Sequence, residues 1–294
     1  MTRSKAAAVA GLLLLVVLAG CSAAGSITMQ QASTADIAER ASRPTAPVDA
    51  GVDADRQLVR TAIENGSATA EGVRPPVESG LPFAHGGRYY DVSWTVVDRQ
   101  SGTRVDIAID YNGTAPADRT VDYADLPAVD RDALSGLLPP RTDRRTDGYE
   151  MGVGVTYNAT ERNRSVLRSG EYSAVEYRGE TYPVRVDDER DVTIATYRYT
   201  ATPVANSTGA YARRLRERHL FVLGNLTEDE RSIVAEVIDD GYYADSDDEA
   251  FASVLERFRR HSAVTADEYR GTWLVRYDGE VYLARLSYGG FTDG

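Results

Sequence analysis

The sequence predicts an α+β fold built from repeated units, in which a helix precedes an antiparallel β-hairpin and the helices pack on the sheet. The main observation is an internal repeat with an offset of one hundred positions. The segment VRYDGEVYLARL at 275–286 shares six of its twelve residues with VEYRGETYPVRV at 175–186. Duplication of one structural unit is the best explanation for such self-similarity.

Each copy of this segment predicts a β-hairpin. The central dipeptides Asp278-Gly279 and Arg178-Gly179 suit a two-residue type I′ turn, which requires positive φ at both positions. The arms on either side alternate apolar and polar residues with period two, as strands with one buried face do. A fainter third copy, GRYYDVSW at 87–94, has a glycine at the same turn position.

Each hairpin is preceded by a predicted helix. DLPAVDRDALSGLL at 125–138 aligns with NLTEDERSIVAEVI at 225–238, again offset by one hundred, and its apolar residues recur three and four positions apart. An acid–arginine pair recurs in the helix of every copy. We expect each arginine to pack its stem and pair with a carboxylate across the helix–sheet contact of its own repeat, although a recognition face remains the alternative. The pairs are Asp55-Arg56, Asp130-Arg131 and Glu230-Arg231.

The segments between helix and hairpin differ among the copies. Residues 247–261 in the last copy read as a second amphipathic helix, whereas MGVGVTYN at 151–158 reads as a strand. Further strands are predicted at 103–111 and 191–200. The predicted repeat units span residues 51–120, 121–220 and 221–294.

The amino terminus has the pattern of a secretory signal peptide over residues 1–20. Two basic residues precede an apolar run at 6–20, which is shorter than the about 20 residues that a membrane-spanning helix needs. The run ends in Leu-Ala-Gly-Cys, which resembles the lipobox of secreted lipoproteins. That resemblance implies cleavage before Cys21 and alkylation of its thiol by a membrane lipid. An uncleaved membrane anchor is the alternative.

The segment after the signal peptide, residues 21–50, is rich in Ala, Ser, Thr and Pro and is predicted to be a flexible tether. Cys21 is the only cysteine of the chain. A single cysteine excludes an intramolecular disulfide framework and a cysteine-based zinc site.

Every asparagine in the chain is followed two positions later by Ser or Thr, with no intervening proline, and is therefore an acceptor for N-glycosylation. One such sequon is weak evidence, but the occurrence of all six asparagines in sequons indicates a protein exported to the cell surface. Because glycans are bulky and hydrated, we expect these residues on exposed turns. They are Asn65, Asn112, Asn158, Asn163, Asn206 and Asn225.

The charged residues show an unusual bias. The chain has 45 acidic and 33 basic residues, and Lys5 is its only lysine. A dense carboxylate surface keeps a protein hydrated at high salt, where electrostatic repulsion is screened. Together with the near-absence of lysine, this composition indicates a halophile, and an ordinary acidic protein is the alternative. The same surface repels nucleic acid, and no basic stripe is present, so we exclude nucleic-acid partners.

Sequence signatures of catalysis are absent: we find no phosphate loop, no G-x-S-x-G and no H-E-x-x-H. We expect surface or structural roles for His85, His219 and His261, because they are scattered. No cofactor is predicted. A weak calcium-loop candidate has acids at positions 1, 3, 5 and 12 of a twelve-residue window, but an acidic helix N-terminus is favoured over it. These acids are Asp245, Asp247, Glu249 and Glu256.

Several tyrosines could form a contact surface for protein or carbohydrate, although Tyr is also simply a good strand residue, and we favour that second reading. The candidates are Tyr89, Tyr172, Tyr242 and Tyr243.

The lipobox and the repeated Leu-x(4)-Arg and Tyr-x-Gly-Glu-x-Tyr phrases resemble an uncharacterised family of acidic, lipobox-containing surface lipoproteins of haloarchaea. The resemblance implies a location on the extracellular face of the cytoplasmic membrane, with the membrane as partner through Cys21. We therefore expect a non-enzymatic, lipid-anchored protein that presents an interaction surface to a surface protein or glycan. The alternatives are the solute-binding component of a transporter and a carboxylate-dependent hydrolase.

Overall fold

The computed structural model describes residues 23–46, 54–114, 117–139 and 149–291. The predicted signal peptide and Cys21 lie outside the described residues. The chain divides into two compact units. The terminal unit combines the N-terminal residues up to Ala41 with the chain from Thr208 onward, and the central unit is Ser42–Ser207. Within the described residues, none of the helices has both the length and the apolar character needed to cross a membrane.

The helices are short or of medium length. In chain order they are α1 (Thr34–Arg40), α2 (Ala54–Asn65), α3 (Ala128–Leu134), α4 (Ala159–Arg164), α5 (Thr208–His219), α6 (Glu228–Asp239) and α7 (Glu249–Arg259). Short 3₁₀ turns cover Ala117–Arg119, Tyr123–Asp125 and Gly289–Phe291.

The strands range in length from two residues to 23 in β5 and 26 in β9. In chain order they are β1 (Gly25–Gln31), β2 (Arg43–Pro44), β3 (Ala68–Gly72), β4 (Phe83–His85), β5 (Arg88–Asp110), β6 (Thr120–Asp122), β7 (Glu150–Asn158), β8 (Ala174–Tyr177), β9 (Glu180–Ala205), β10 (Leu220–Val222), β11 (Tyr242–Ala244), β12 (Thr265–Ala266), β13 (Arg270–Tyr277) and β14 (Glu280–Ser287).

The terminal unit is built on one mixed sheet with the order β10-β13-β14-β1-β11, and β12 pairs with β13. Helices α6 and α7 cover one face. In α7, apolar side chains three and four positions apart are buried against the sheet, and each stabilises the fold by about 1.5–3 kcal/mol through burial. They are Phe251, Val254, Leu255 and Phe258. The other face is covered only in part, by α1 and α5, which pack against each other.

The central unit contains two long antiparallel strands, β5 and β9, which pair over almost their whole length. The sheet order is β2-β4-β5-β9-β8-β6, with β3 added to β9 and β7 added to β5. The register shifts between Val96 and Asp98 and again between Val105 and Asp106. Such bulges increase the local twist of a strand.

The same strand arrangement occurs three times. The order β2-β4-β5-β9-β3 is the first copy, β6-β8-β9-β5-β7 the second and β10-β13-β14-β1-β11 the third. In each copy an edge strand runs parallel to the first hairpin arm. The parallel register begins at Thr120↔Ala174 in the second copy and at Leu220↔Leu274 in the third, so that both partners are offset by one hundred. The predicted α+β fold of helix-plus-hairpin repeats is therefore confirmed.

All three predicted hairpins close with two-residue turns in which both central residues have positive φ, as type I′ turns require. The φ angles are 55° at Arg178 and 82° at Gly179, 48° at Asp278 and 85° at Gly279, and 57° at Gly86 and 75° at Gly87. The dipeptides Asp278-Gly279 and Arg178-Gly179 are thus the turns of hairpins.

The repeats share strands, so the compact units do not follow the three predicted segments. The first part of β5 completes the first hairpin, and its second part lies between β9 and β7 in the second copy. The first part of β9 completes the second hairpin with β8, and its later part lies between β5 and β3 in the first copy. In the third copy the equivalent inserted strand is β1, which pairs with β14 on one side and β11 on the other.

The prediction of a flexible tether over 21–50 is wrong for the residues that form β1 and α1. Ile27 and Met29 are buried in the core, and Ser33 and Asp36 form a capping box at the start of α1. The composition of this segment is typical of a linker, but its alternation of polar and apolar residues has the period of a strand.

Candidate functional site

A polar groove opens on the part of the terminal sheet that α1 and α5 leave uncovered. It has a volume of about 590 Å³ and is lined by residues of β1, β12, β13 and β14, by the last residue of α1, and by Asp267 between β12 and β13. We call it the arginine groove because three arginines line it: Arg40, Arg270 and Arg285.

The floor of the groove is formed by residues that face each other across neighbouring strands. Arg270 pairs with Ser287, which pairs with Ser26, and on the far side of β1 Ser26 pairs with Tyr243. Directly opposed residues point to the same face of a sheet, so these four side chains form one row. Arg270, Ser287 and Ser26 line the groove, and Tyr243 continues the row beyond it.

A second row follows two residues along each strand. Thr272 pairs with Arg285, and Arg285 pairs with Thr28. Thr265 of β12 lies opposite Thr272 and extends this row. The intervening residues Trp273 and Leu286 point to the opposite face and join the core under α6 and α7.

The groove ends where the helices begin to cover the sheet. Leu274, in the next row, is completely buried although it points away from the core under α6 and α7. Helix α5 contacts β13 and packs against α1, so these helices cover that row. Helix α1 ends at Arg40, which places its guanidinium at the rim of the groove.

The charges of the groove are unbalanced. Among the described residues that line the groove, Asp267 is the only acidic one, and it accepts a hydrogen bond from the Arg270 Nε at 3.1 Å. Backbone N–H groups of Tyr269 and Arg270, assisted by the Arg270 guanidinium, hold the pKa of Asp267 below its ordinary value. Arg285 contacts the side-chain oxygen of Gln30 at 3.4 Å. Among the described residues no carboxylate forms an ion pair with Arg40 or Arg285.

This arrangement suits the binding of an oxyanion. Guanidinium groups present hydrogen-bond donors in a planar fork that matches carboxylate and phosphate, and hydroxyl groups add further donors. No histidine lines the groove, and its one carboxylate is already held by Arg270. The lining therefore offers donors for an anion and no paired nucleophile and base.

Within the described residues, Arg131 and Arg231 form no ion pair with a carboxylate, contrary to our expectation for the second and third repeats. Arg131 donates to the backbone carbonyl of Leu126, and Arg231 donates to that of Leu226 at 3.1 Å. Both arginines thus bind the carbonyl five residues before them, at the start of their own helix. In the first repeat, Arg56 donates to the carbonyl of Ala46 at 2.9 Å.

The acidic member of the pair is the buried one in the second and third repeats. Asp130 accepts hydrogen bonds from the Ser165 hydroxyl at 2.6 Å and from the Val166 N–H at 2.8 Å. Glu230 accepts from the Arg257 guanidinium and from the Ser253 hydroxyl, each at 2.7 Å. Each carboxylate joins its helix to the next segment of its repeat.

Asp130 and Glu230 each have their own set of hydrogen-bond partners. They are the two carboxylates that are buried among the described residues, and they belong to different compact units. The hydrogen bonds from Arg257 lower the pKa of Glu230 to about 2, so it remains ionised. A hydrolase of the carboxylate type would need two close carboxyl groups with separated pKa values.

The weak calcium candidate does not form a loop. Helix α7 begins at Glu249, the fifth position of the proposed window, so Glu256 lies two turns along the helix from it. Asp248 caps this helix, accepting from the Phe251 N–H, and also accepts from the Tyr242 hydroxyl. Within the described ranges, no group of three or more His, Cys, Asp or Glu side chains is arranged to hold a metal ion, and this includes the candidates Asp245, Asp247, Glu249 and Glu256.

The histidines have separate contacts. The His85 ring is 3.0 Å from the Thr45 hydroxyl, and the His219 ring is 3.2 Å from the Ser262 carbonyl. His261 stacks on Phe221 with ring centroids 4.0 Å apart.

Of the four candidate contact tyrosines, only Tyr243 is strongly exposed, with 73% of its surface accessible. Tyr89 is buried, and Tyr172 and Tyr242 are half-buried. The sequence reasoning missed Tyr269, which is 51% exposed and lies next to the arginine groove.

The sequon asparagines are exposed with one exception. Asn158 is half-buried because its side chain caps α4, accepting hydrogen bonds from the N–H groups of Thr160 and Glu161. The exposed ones are Asn65, Asn112, Asn163, Asn206 and Asn225.

Comparison with known proteins adds no relative: no family model matches the chain, and no match was found among curated proteins or solved structures. The arginine groove was not predicted either. Its residues come from four separate segments, and only the polar positions alternating with buried ones in β1 and β14 carry a signal in the sequence.

Proposed function

We propose that the protein is an exported, lipid-anchored surface protein that binds an anionic group in the arginine groove and does not catalyse a reaction. One observation carries this proposal. Arg270 pairs with a carboxylate, whereas Arg40 and Arg285 have no carboxylate partner within the described part of the chain, and all three share a hydroxyl-lined groove on a chain whose net charge is −12. Cations that are left unpaired on a strongly acidic protein favour an external anion as their partner.

Support for the exported location comes from the sequence. The lipobox ends at the single Cys21, and all six asparagines are glycosylation acceptors, of which five are exposed. These features are independent of the groove, so anchoring and anion binding are tested separately.

The solute-binding component of a transporter is a weaker proposal for this chain. Such a component would have alternating βαβ lobes with a ligand cleft between them. The arginine groove instead lies on one face of one sheet, and most strand pairs in both described sheets are antiparallel.

Anion binding is tested by titrating the chain from Ser22, which retains every described residue, with inorganic phosphate in a calorimeter. Hydrogen bonds to charged groups contribute about 1.5–3 kcal/mol, so Arg285→Gln is expected to weaken binding at least about tenfold. The matched control is Arg276→Gln, which alters an exposed arginine of the same sheet outside the groove. Equal affinity in the two variants would refute the assignment of the groove.

Anchoring is tested in cells by labelling with a lipid precursor. Wild-type protein is expected to take up the label and remain with membranes, and Cys21→Ser is expected to lose the label. Unchanged labelling of the Cys21→Ser variant would refute the anchor.

A further inference from the structure

We infer that the terminal unit stands on the membrane with one defined end of its sheet, and that the arginine groove binds the phosphate of lipid headgroups. This inference rests on the proposed anchor at Cys21. The end in question, here called the anchor end, is the sheet row Arg270, Ser287, Ser26 and Tyr243 together with the residues beyond it.

The length of chain between the lipid and the sheet is the first argument. Strand β1 begins at Gly25, four residues after Cys21. Four residues span at most about 14 Å when fully extended. Because β1 is paired on both sides, its first residues are fixed in the sheet. A lipid on Cys21 therefore holds the anchor end next to the headgroup layer.

Exposed aromatic residues at the same end are the second argument. Tyr243 is 73% exposed and lies in the row of Ser26. Tyr269 is 51% exposed, and its carbonyl accepts a hydrogen bond from the Tyr288 N–H just beyond the Arg270–Ser287 pair. A tyrosine has an apolar ring and a polar tip, and this residue type is enriched where membrane and water meet.

The groove supplies the third argument. Its first row belongs to the anchor end, so Arg270 and Arg285 lie beside the surface on which the lipid is inserted. A planar guanidinium binds phosphate with two hydrogen bonds, and Ser26 and Ser287 add hydroxyl donors. Lipid phosphates are the anions that an anchored groove meets at the highest local concentration.

The opposite end of the sheet has the features expected of a surface that faces away from the membrane. Strand β10 runs parallel to β13 and ends at Val222, opposite Arg276, near the hairpin turn at Asp278-Gly279. The exposed sequon Asn225 follows three residues later. A glycan at this position would extend away from the lipid without steric conflict.

Carboxylates at the anchor end make the contact with phosphate headgroups depend on the salt concentration. Glu268 lies beside Tyr269, and Asp245 and Asp247 follow the end of β11. At low salt these groups repel phosphate headgroups. At about 1 M salt the Debye length is about 3 Å, so only groups in direct contact still interact. Binding through hydrogen-bonded guanidinium groups is therefore expected to persist at high salt, unlike binding by overall charge.

Orientation is tested with single-thiol probes. Because Cys21 is the only cysteine and carries the lipid, an introduced cysteine is the only free thiol. Tyr243→Cys and Val222→Cys replace residues that are 73% and 69% exposed, at opposite ends of the sheet. Each lipidated variant is labelled with a fluorophore and placed in phospholipid vesicles that contain a headgroup quencher. We expect several-fold stronger quenching at position 243 than at position 222.

The outcomes separate the inference from the proposal on which it rests. Equal quenching at both positions, or stronger quenching at 222, on lipidated protein overturns the orientation and leaves the anchor intact. Protein that carries no lipid at Cys21 overturns both.

The headgroup assignment is tested by vesicle flotation of the unlipidated chain from Ser22 at about 1 M salt. We expect binding to phospholipid vesicles, several-fold weaker binding for Arg270→Gln and Arg285→Gln, and no change for Arg276→Gln. Vesicles of sugar-headgroup lipids without phosphate are expected to bind less. Equal binding to the two headgroup classes, or undiminished binding of the two groove variants, overturns the assignment. Binding of inorganic phosphate without vesicle binding also overturns it, while supporting the groove as an anion site.

Discussion

Asp130 and Glu230 occupy the same place in two copies of the repeat, one hundred positions apart, and both are buried. Each is the third residue of its helix, α3 or α6. The repeat has thus kept a buried carboxylate but changed its partners. Asp130 is satisfied by a hydroxyl and backbone N–H groups, whereas Glu230 forms an ion pair with Arg257 at 2.7 Å. A buried carboxylate that recurs with different partners indicates a structural role, in which it joins its helix to the next segment of the repeat. The substitutions below test this role.

Acid is expected to destabilise the terminal unit through Glu230. Its pKa is about 2 in the folded protein, against 4.5 for an unperturbed glutamate. A lowered folded pKa contributes stability that is complete above pH of about 5 and is lost as the pH falls towards about 2. The loss is on the order of 3 kcal/mol. Urea unfolding at a series of pH values measures it, and Glu230→Gln should flatten the pH dependence over this window.

Removal of the partner of Glu230 is expected to be more harmful than removal of a nearby surface arginine. Arg257→Met leaves a buried carboxylate without its cation, which costs about 3–5 kcal/mol. Arg260→Met is the control, because Arg260 is exposed at the end of α7. Thermal unfolding compares the two variants, and similar midpoints would contradict a bracing role for the ion pair.

The hairpin glycines are expected to be sensitive to a side chain in both repeats. Gly179 and Gly279 have φ near 82° and 85°, where a Cβ costs about 1–2 kcal/mol. The substitution Gly209→Ala, inside α5 and with open space around the added Cβ, should instead be neutral or stabilising, since Ala is the better helix former. Denaturant midpoints of the three alanine variants provide the comparison.

Packing at the start of β1 is expected to require Gly25. A Cβ at this residue would lie 2.5 Å from the Phe251 ring and 2.9 Å from that of Phe291. Overpacking of this kind costs about 1–3 kcal/mol. Gly224→Ala, where nothing lies within 4 Å of the added Cβ, is the matched control. If Gly25→Ala unfolded at the wild-type temperature, the fixed start of β1, and with it the orientation argument, would be contradicted.

Local signals account for what could be predicted from the sequence. The turns at Asp278-Gly279 and Arg178-Gly179 and the capping box at Thr227 are determined by neighbouring residues, so the hairpins and helix α6 were predictable. The role of β1 was not predictable, because its place between β14 and β11 depends on residues over two hundred positions away. The sharing of β5 and β9 between repeats is non-local for the same reason.

The candidate site was less predictable than the fold. Arg40, Arg270 and Arg285 line one groove because α1 ends beside the rows that β13 and β14 form with β1. The acid–arginine pairs were visible in the sequence. We expected the arginine to join the helix to the rest of its repeat, but the buried carboxylate does so in the second and third repeats. Arg131 and Arg231 donate hydrogen bonds to backbone carbonyl groups at the start of their helices, whereas Asp130 and Glu230 are buried.

Mass spectrometry of the N-terminal peptide, taken from protein extracted from the membrane fraction, tests the central proposal most directly. The proposal predicts a peptide that begins at Cys21 and carries the added mass of a lipid. A peptide that retains residues 1–20, or one that begins near this position with an unmodified thiol, would contradict a lipid-anchored surface protein.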